Sequence, residues 1–294
     1  MNIKKIYGKF LGLLTNLFGI DVAKKFDAMF RMHRNLNLKH PRTLADKVAF
    51  LELHKQSPLA SECTDKYAVR EYVKKKGYQQ SLVPLSGGPW KDLNEFDFNN
   101  LPDSFVLKAT HGCKMNYIVP DKALINKEEC INEITRWLNT TYGTYSLEPH
   151  YCVIPHRFYA ENYLGNISDL IDYKFHCLNG VPTFVLVMSD RKTNGDKAMK
   201  VTIDCYDMKW HHMDVVCGAG SEVPGHNLIP KPKHFEEMIE MAKKLSEDFD
   251  FVRVDLYEIE NHIFFGELTF SPAACVFPYL TKQFLENMGE KLSI

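Results

Sequence analysis

Asp255 and Glu267 are the residues in this sequence whose spacing speaks most directly of chemistry. They lie in FVRVDLYEIENHIFFGELTFSP, residues 251–272, where two apolar runs flank the polar stretch from Glu258 to His262. An antiparallel hairpin is the simplest structure for that pattern. Successive side chains of a strand point to opposite faces, so Val252, Val254 and Leu256 share a core face that Phe264, Leu268 and Phe270 can join. If Asp255 lies opposite Glu267, then Arg253 faces Thr269, Tyr257 faces Phe265, and the other face carries two carboxylates side by side. Unpaired, they would repel, and one would hold a raised pKa. A hard divalent ion such as Mg2+ removes the conflict by taking their oxygens together with phosphate oxygens of a substrate. The alternative is a solvated face on which Arg253 and water answer the charges. Register decides between them, because a slip of one residue would send the two carboxylates to opposite faces.

Cations stand at other strand ends. SFVLKATHGCKMNYIV reads as a strand from Ser104 to Ala109, with Lys108 at its exit, a short polar loop from Thr110 to Asn116, and a second strand from Tyr117 to Val119. Such a loop can lay backbone N–H groups over phosphate oxygens, although a solvated lysine at a strand end would look the same. In DYKFHCLNGVPTFVLVM, Asn179-Gly180 fits a two-residue type I′ turn between apolar strands. Lys174 and His176 share one face of its first strand, and Asp190-Arg191 ends the second. His211-His212 has no spaced carboxylate partner and reads as part of a polar loop.

Around these residues the chain has an ordinary composition. It has 294 residues, 45% of them apolar, and a formal net charge of −1, so no global basic field argues for nucleic acid. Eight scattered cysteines lack CxxC or zinc-ligand spacing, which points to reduced thiols and a cytoplasmic setting. At the start, Lys4, Lys5 and Lys9 precede an apolar run from Phe10 to Ile20. That run has no small-residue cleavage site and is too short to span a bilayer. Phe10, Leu13, Leu14, Leu17 and Phe18 keep helical spacing, which predicts an amphipathic helix packed on its own domain, with membrane-surface contact as the alternative.

The positioning elements follow in order. Thr43 and Asp46 can form a capping box for one helix, and a second runs through TDKYAVREYVKKKG, opened by Thr64 and stopped by Gly77. A Gly-Gly-Pro turn after Leu85 marks the first lobe boundary. A helix from Lys127 to Trp137 leads to the strand RFYAENYL, residues 157–164, which runs into a linker. Residues 210–234 are rich in Gly, Pro and His and form a long surface excursion or a binding loop. Phe235, Met238, Ile239, Ala242, Leu245 and Phe249 then mark an amphipathic helix delivering the chain to the carboxylate hairpin.

DKYAVREYV, SFVLKATHG, DYKFHCLNG, and FVRVDLYEI with FGELTFSP together resemble the ATP-grasp superfamily of carboxylate-amine ligases. More closely, they resemble its TupA-like branch, named for teichuronopeptide biosynthesis and found in bacterial surface-polysaccharide clusters. The likeness spans roughly residues 35 to 280. It implies an α+β ATP-grasp fold, in which two α+β lobes clasp ATP behind a mainly helical N-terminal region. Boundaries drawn on it are 1–85 for that region, 86–160 for the small lobe with its phosphate-binding loop, and 161–294 for the lobe with the metal site.

Carried over by residue, the resemblance implies that Lys108 and Lys174 contact phosphates, with Arg191 as a further contact. Thr110, His111 and Gly112 belong to the loop above the triphosphate. Glu161 and the backbone of Asn162, Tyr163 and Leu164 hold the adenosine end, and Asp255, Glu267 and Thr269 ligate Mg2+. Thr269 stands where many ATP-grasp enzymes have Asn, and Ala273 and Ala274 stand where the likeness would place glycine. The implied reaction joins a carboxylate to an amine through an acyl phosphate. Its substrates would be a uronic acid of a capsular or O-antigen saccharide and an amino acid or simple amine. No protein nucleophile is required, and the sequence offers no convincing Ser-His-Asp or Cys-His arrangement. Three other readings remain open: a kinase-like phosphotransferase, a glycosyltransferase, for which a DxD spacing of acids is lacking, and a degenerate scaffold that binds partners of polysaccharide assembly.

Overall fold

The computed structural model describes the whole chain except residues 1–2, 56, 166–169, 195–196 and 226–228, and describes backbone alone at 3–5, 32, 145, 191–194 and 197–199. Two compact units result, one of residues 57–165 and one of residues 1–56 with 166–294. This division differs from boundaries at 85/86 and 160/161. Helices α4 (Pro58–Thr64) and α5 (Val69–Lys75) belong with the smaller unit. Short bonds following α4 tie them to it: Arg157 donates to Asp65 at 2.7 Å, and the Lys66 N–H donates to the Thr110 carbonyl.

The larger unit begins with helices α1 (Ile3–Phe18), α2 (Ile20–Met32) and α3 (Leu44–His54). Thr43 and Asp46 form the expected capping box on α3, each side chain accepting from the other's backbone N–H. Thr64, expected to open a helix, instead ends α4. Asp65 accepts from the N–H groups of Tyr67 and Ala68 just before α5, so the aspartate organises that start.

In the smaller unit, strands β1 (Leu85–Trp90), β2 (Phe105–Ala109), β3 (Asn116–Val119) and β4 (Phe158–Asn162) form an antiparallel sheet in the order β1-β4-β2-β3. The Gly-Gly-Pro segment is thus part of an edge strand rather than a turn. Proline is tolerated there because an edge strand has a row of N–H groups without a ladder partner. Helix α6 (Lys127–Leu138) packs Cys130, Ile134 and Trp137 against Phe105, Leu107 and Phe158 of the sheet. The short α7 (Tyr142–Ser146) follows.

The second sheet, in the larger unit, runs β10-β9-β5-β6-β7-β8. Its strands are β5 (Asp172–Leu178), β6 (Val181–Asn194), β7 (Lys197–Tyr206), β8 (Glu222–Pro224), β9 (Phe251–Ile259) and β10 (His262–Thr269). Asn179 and Gly180 join β5 to β6 with φ of 50° and 75°, the left-handed pair a type I′ turn requires. Strand β6 continues past Asp190 to Asn194, so Asp190-Arg191 lies within it, and the Arg191 side chain is outside the described residues. The 210–234 excursion contains β8 and is pinned by Trp210, whose ring N–H donates to the Ile229 carbonyl at 3.1 Å.

All of β5 is buried. One of its faces, with Phe175 and Cys177, packs beneath α8 (Phe235–Ser246), the expected amphipathic helix, in line with Val254 and Val252 of β9. Full burial of a side chain such as Phe175 contributes roughly 1.5–3 kcal/mol. Its other face carries Asp172, Lys174 and His176 and is closed by Phe184, Phe277 and α9 (Lys282–Lys291).

Candidate functional site

Two clusters of charge lie on the sheets, one in each unit. Asp255 and Glu267 are cross-strand partners on β9 and β10, and Thr269 pairs with Arg253, as alternation predicts. Nearer the hairpin tip the expectation fails: Tyr257 pairs with Phe264, and Phe265 pairs with Leu256 and enters the core in place of Phe264. The cause is a β-bulge at Gly266, where one extra residue exchanges the faces of the strand. A Cβ at Gly266 would meet the Tyr257 ring at 2.8 Å and the Asp255 carbonyl at 3.1 Å, so glycine allows Glu267 to lie beside Asp255.

Around Asp255 the geometry is dense. Arg253 donates through Nε to Asp255 Oδ1 at 2.6 Å, and its Nη2 reaches Asp255 Oδ2 at 2.7 Å, Glu267 Oε1 at 3.0 Å and Thr269 Oγ1 at 2.9 Å. Lys174, directly across from Asp255 on β5, forms a further ion pair with it, and its Nζ lies 3.0 Å from Asp172 Oδ2. Asp255 is 1% exposed. Burial raises its pKa above the ordinary carboxylate value, against the pull of Arg253 and Lys174. Burial works against the Arg253 charge as well, yet Asp255 and Glu267 prevail and hold the guanidinium protonated. His176 shares this face, stacked on Phe184 with centroids 4.3 Å apart; burial and then Arg253 push its pKa well down, so it is neutral.

The oxygens of the expected metal ligands, Asp255, Glu267 and Thr269, converge on the single cationic nitrogen Arg253 Nη2. That set fits a hard cation: all three donors are oxygens, and they already meet at one point of positive charge. Among the described residues no group of three or more His, Cys, Asp or Glu gathers as a metal cluster. The fit rests on two carboxylates and a hydroxyl, with room in the ion's preference for ligands from a substrate.

The smaller unit repeats the motif with other members. Glu161 on β4, 6% exposed, accepts from Arg70 of α5 at 3.1 Å and from Lys108 of β2 at 2.5 Å. Arg70 also donates to the Val83 carbonyl at 2.9 Å. Thr110 and His111 are fully buried. Thr110 donates to the Pro155 carbonyl, and the His111 ring stacks on His156 at 4.0 Å and contacts the Trp137 carbonyl. Burial lowers the His111 pKa to about 4, so it too is neutral. These side chains therefore anchor the loop between β2 and β3, which leaves its backbone as the part able to meet a ligand. Gly112 packs tightly over Met115 within that loop. Asn162, exposed at the end of β4, accepts from Ser86 at 2.7 Å, and Tyr163 and Leu164 follow it half-buried.

Arg70 and Asp172 escaped the sequence reading. Asp172 carried a usable signal, since it lies two residues before Lys174 and must share its face. Arg70 carried none beyond its place in DKYAVREYV, because its partner is 91 residues away.

Comparison with known proteins places the chain in a family. A model of the family described as TupA-like ATPgrasp matches residues 46–293. The chain belongs to the TupA-like ATP-grasp family. An α+β ATP-grasp fold stands with that membership. A search of the curated proteins found no match. Among solved structures, a D-alanine-D-alanine ligase from Helicobacter pylori is 16% identical with a TM-score of 0.44, covering 85% of this chain and 69% of its own. A Bacillus anthracis D-alanine-D-alanine ligase complexed with ATP is 11% identical with a TM-score of 0.42, covering 70% of this chain and 54% of its own. A phosphoribosylglycinamide synthetase from Anaerococcus prevotii is 16% identical with a TM-score of 0.35, covering 76% and 44%. This TupA-like chain thus spans about half the length of the latter two.

Proposed function

We propose that this protein is a cytoplasmic ATP- and Mg2+-dependent ligase that joins a carboxylate to an amine through an acyl phosphate. The carboxylate would be a uronic acid of a capsular or O-antigen saccharide and the amine an amino acid or a simple amine. The observation that carries the proposal is the convergence of Asp255, Glu267 and Thr269 oxygens on Arg253 Nη2. In this reading they hold Mg2+, which supplies charge neutralisation to the ATP phosphates.

The protein's own residues supply binding and position. Lys108, Lys174 and the loop backbone at 110–112 take phosphate oxygens, Arg191 is a further phosphate contact, and Glu161 with the 162–164 backbone takes the adenosine end. Lys174 and Arg253, each holding Asp255, orient that carboxylate and pull against the rise in pKa that its burial causes. The substrate carboxylate attacks the γ-phosphorus and ADP leaves; the amine then attacks the acyl carbon, phosphate leaves, and the amide keeps the nitrogen. Phosphoryl transfer depends mainly on positioning and charge, so side chains of these types suffice without a protein nucleophile. The saccharide setting is an analogy with the family.

Calorimetric titration of ATP with and without Mg2+ tests the site. The wild type is expected to need Mg2+ for tight binding, and the Asp255→Asn, Glu267→Gln double variant to lose that dependence, with ATP turnover reduced on the order of 100-fold or more. Unchanged turnover in the variant would remove the metal assignment. Phosphate release screened over uronic acids and amines then tests the substrate class.

A further inference from the structure

The first two helices carry a surface that the proposed ligase reaction does not use. On α1, Ile6, Phe10, Leu13 and Leu17 are each at least 41% exposed, at the spacing that places them on one face. On α2, Val22, Phe26, Met29 and Phe30 do the same at 38% exposure or more. The faces are continuous. Phe10 meets the edge of Phe26 at 5.4 Å, and Tyr7 stacks on Phe30 at 5.6 Å. Apart from Phe18, the other exposed large apolar side chains among the described residues, such as Leu124 and Val181, lie well away from one another along the chain. Leu11 of α1 and Ala23 of α2 are fully buried, and Ala28 joins the core of the larger unit. The expectation of a helix with its apolar face packed on its own domain is therefore not met. Phe10, Leu13, Leu17 and Phe18 face outward, while Leu11 is buried.

Charge indicates the occupant. Residues 1–42 hold nine Lys and Arg against two Asp, whereas the rest of the chain holds 27 against 35. Lys9 and Lys25 stand one residue before Phe10 and Phe26, about 100° round each helix, so each flanks the apolar face. A second copy laid face to face would bring like charges together. An acidic lipid surface would be attracted, and aromatic and aliphatic side chains bordered by lysine are suited to the boundary between headgroups and acyl chains. No helix among the described residues is long and apolar enough to cross a membrane, so the arrangement is one of lying on a bilayer.

We propose that the paired helices α1 and α2 form a docking surface for an anionic lipid bilayer, with the Phe10–Phe26–Phe30 cluster entering the interface and Lys9 and Lys25 at the headgroups. This does not rest on the ligase reading, and ATP binding is expected to be the same in the variants below.

The test is flotation of the full chain with vesicles of phosphatidylglycerol and phosphatidylcholine, or of phosphatidylcholine alone, at low and high salt. Wild type is expected to float with the anionic vesicles, at least tenfold less with neutral ones, and less as salt rises. Phe10→Ser, Phe26→Ser, Phe30→Ser should abolish flotation, with circular dichroism checking its fold. Lys9→Glu, Lys25→Glu removes no buried side chain and should lower anionic partitioning at least tenfold. Absence of flotation by wild type, or equal flotation by the charge-reversed variant, overturns the proposal. So does a wild-type dimer in sedimentation that the triple-Ser variant dissociates while neither floats.

Discussion

The two charge clusters share one plan and differ in its sum. Each centres on a buried carboxylate held by one arginine and one lysine: Glu161 by Arg70 and Lys108, Asp255 by Arg253 and Lys174. In the smaller unit those three side chains leave one positive charge in excess. In the larger unit Asp172 and Glu267 join the cluster, and the same two kinds of cation are outnumbered by acids. The first balance suits an incoming anion and the second an incoming cation. The difference lies in the strand opposite: β2 offers Lys108 to Glu161, whereas β10 adds Glu267 beside Asp255.

The largest way to break the comparison is to remove either central carboxylate. Glu161→Leu strands Arg70 and Lys108 and should destabilise by about 3–5 kcal/mol, whereas Asp255→Leu leaves Lys174 with Asp172 and Arg253 with Glu267 and should cost less, both read by urea unfolding. If one were neutral, its cluster would be a solvated face and the shared plan would fail.

Gly266→Ala should cost about 1–3 kcal/mol, because the new methyl meets the Tyr257 ring and the Asp255 carbonyl. It is also expected to raise the Mg2+ concentration needed for half-maximal turnover, by displacing Glu267. A change in stability without that shift would separate the bulge from the site.

A finer test separates the two sums. Lys108→Met should weaken ATP binding roughly tenfold, about 1.4 kcal/mol, with the Mg2+ requirement intact, while Glu267→Gln should alter the Mg2+ requirement first. Calorimetry at several Mg2+ concentrations distinguishes them, and identical profiles would dissolve the division of labour.

The last effect concerns protons and is smallest near neutral pH. His111 has a folded pKa near 4 against 6.5 unfolded, so between those values the unfolded chain binds more protons and stability falls as pH drops from 6.5 toward 4. His111→Phe should flatten that part of the pH profile of Tm. An unchanged slope would assign it to other groups, with His176 in the larger unit the first to examine, since burial depresses its pKa as well.

How far these features could be read in advance depended on their range along the chain. The pairing of Asp255 with Glu267 rested on a supposed register that the bulge realises, but that Arg253 shares the face of Asp255 and Thr269 that of Glu267 followed from alternation, a local property. The Asn179-Gly180 turn and the Thr43 capping box also followed from local residues. The bulge at Gly266 did not, because one inserted residue leaves composition untouched while exchanging Phe264 for Phe265 in the core. Residue preference points to a turn at Gly87-Gly88-Pro89, yet pairing with β4 makes it an edge strand. Arg70 was illegible for a different reason, since only tertiary structure brings a helix residue to Glu161.

The segment after β10 carries a further consequence. Ala273, Ala274, Cys275 and Phe277 all have φ between 47° and 69°, the left-handed region that costs ordinary residues about 1–2 kcal/mol apiece. The absence of glycine at Ala273 and Ala274 therefore did not relax the backbone there. Cys275 and Phe277 are fully buried, which holds the run in place. For the history of this gene product, that makes the stretch a narrow passage: a branched side chain at 273 or 274 would meet a barrier that glycine or asparagine would not. Drift at these positions is confined to a small alphabet set by backbone shape, whatever happens to the charges beside it.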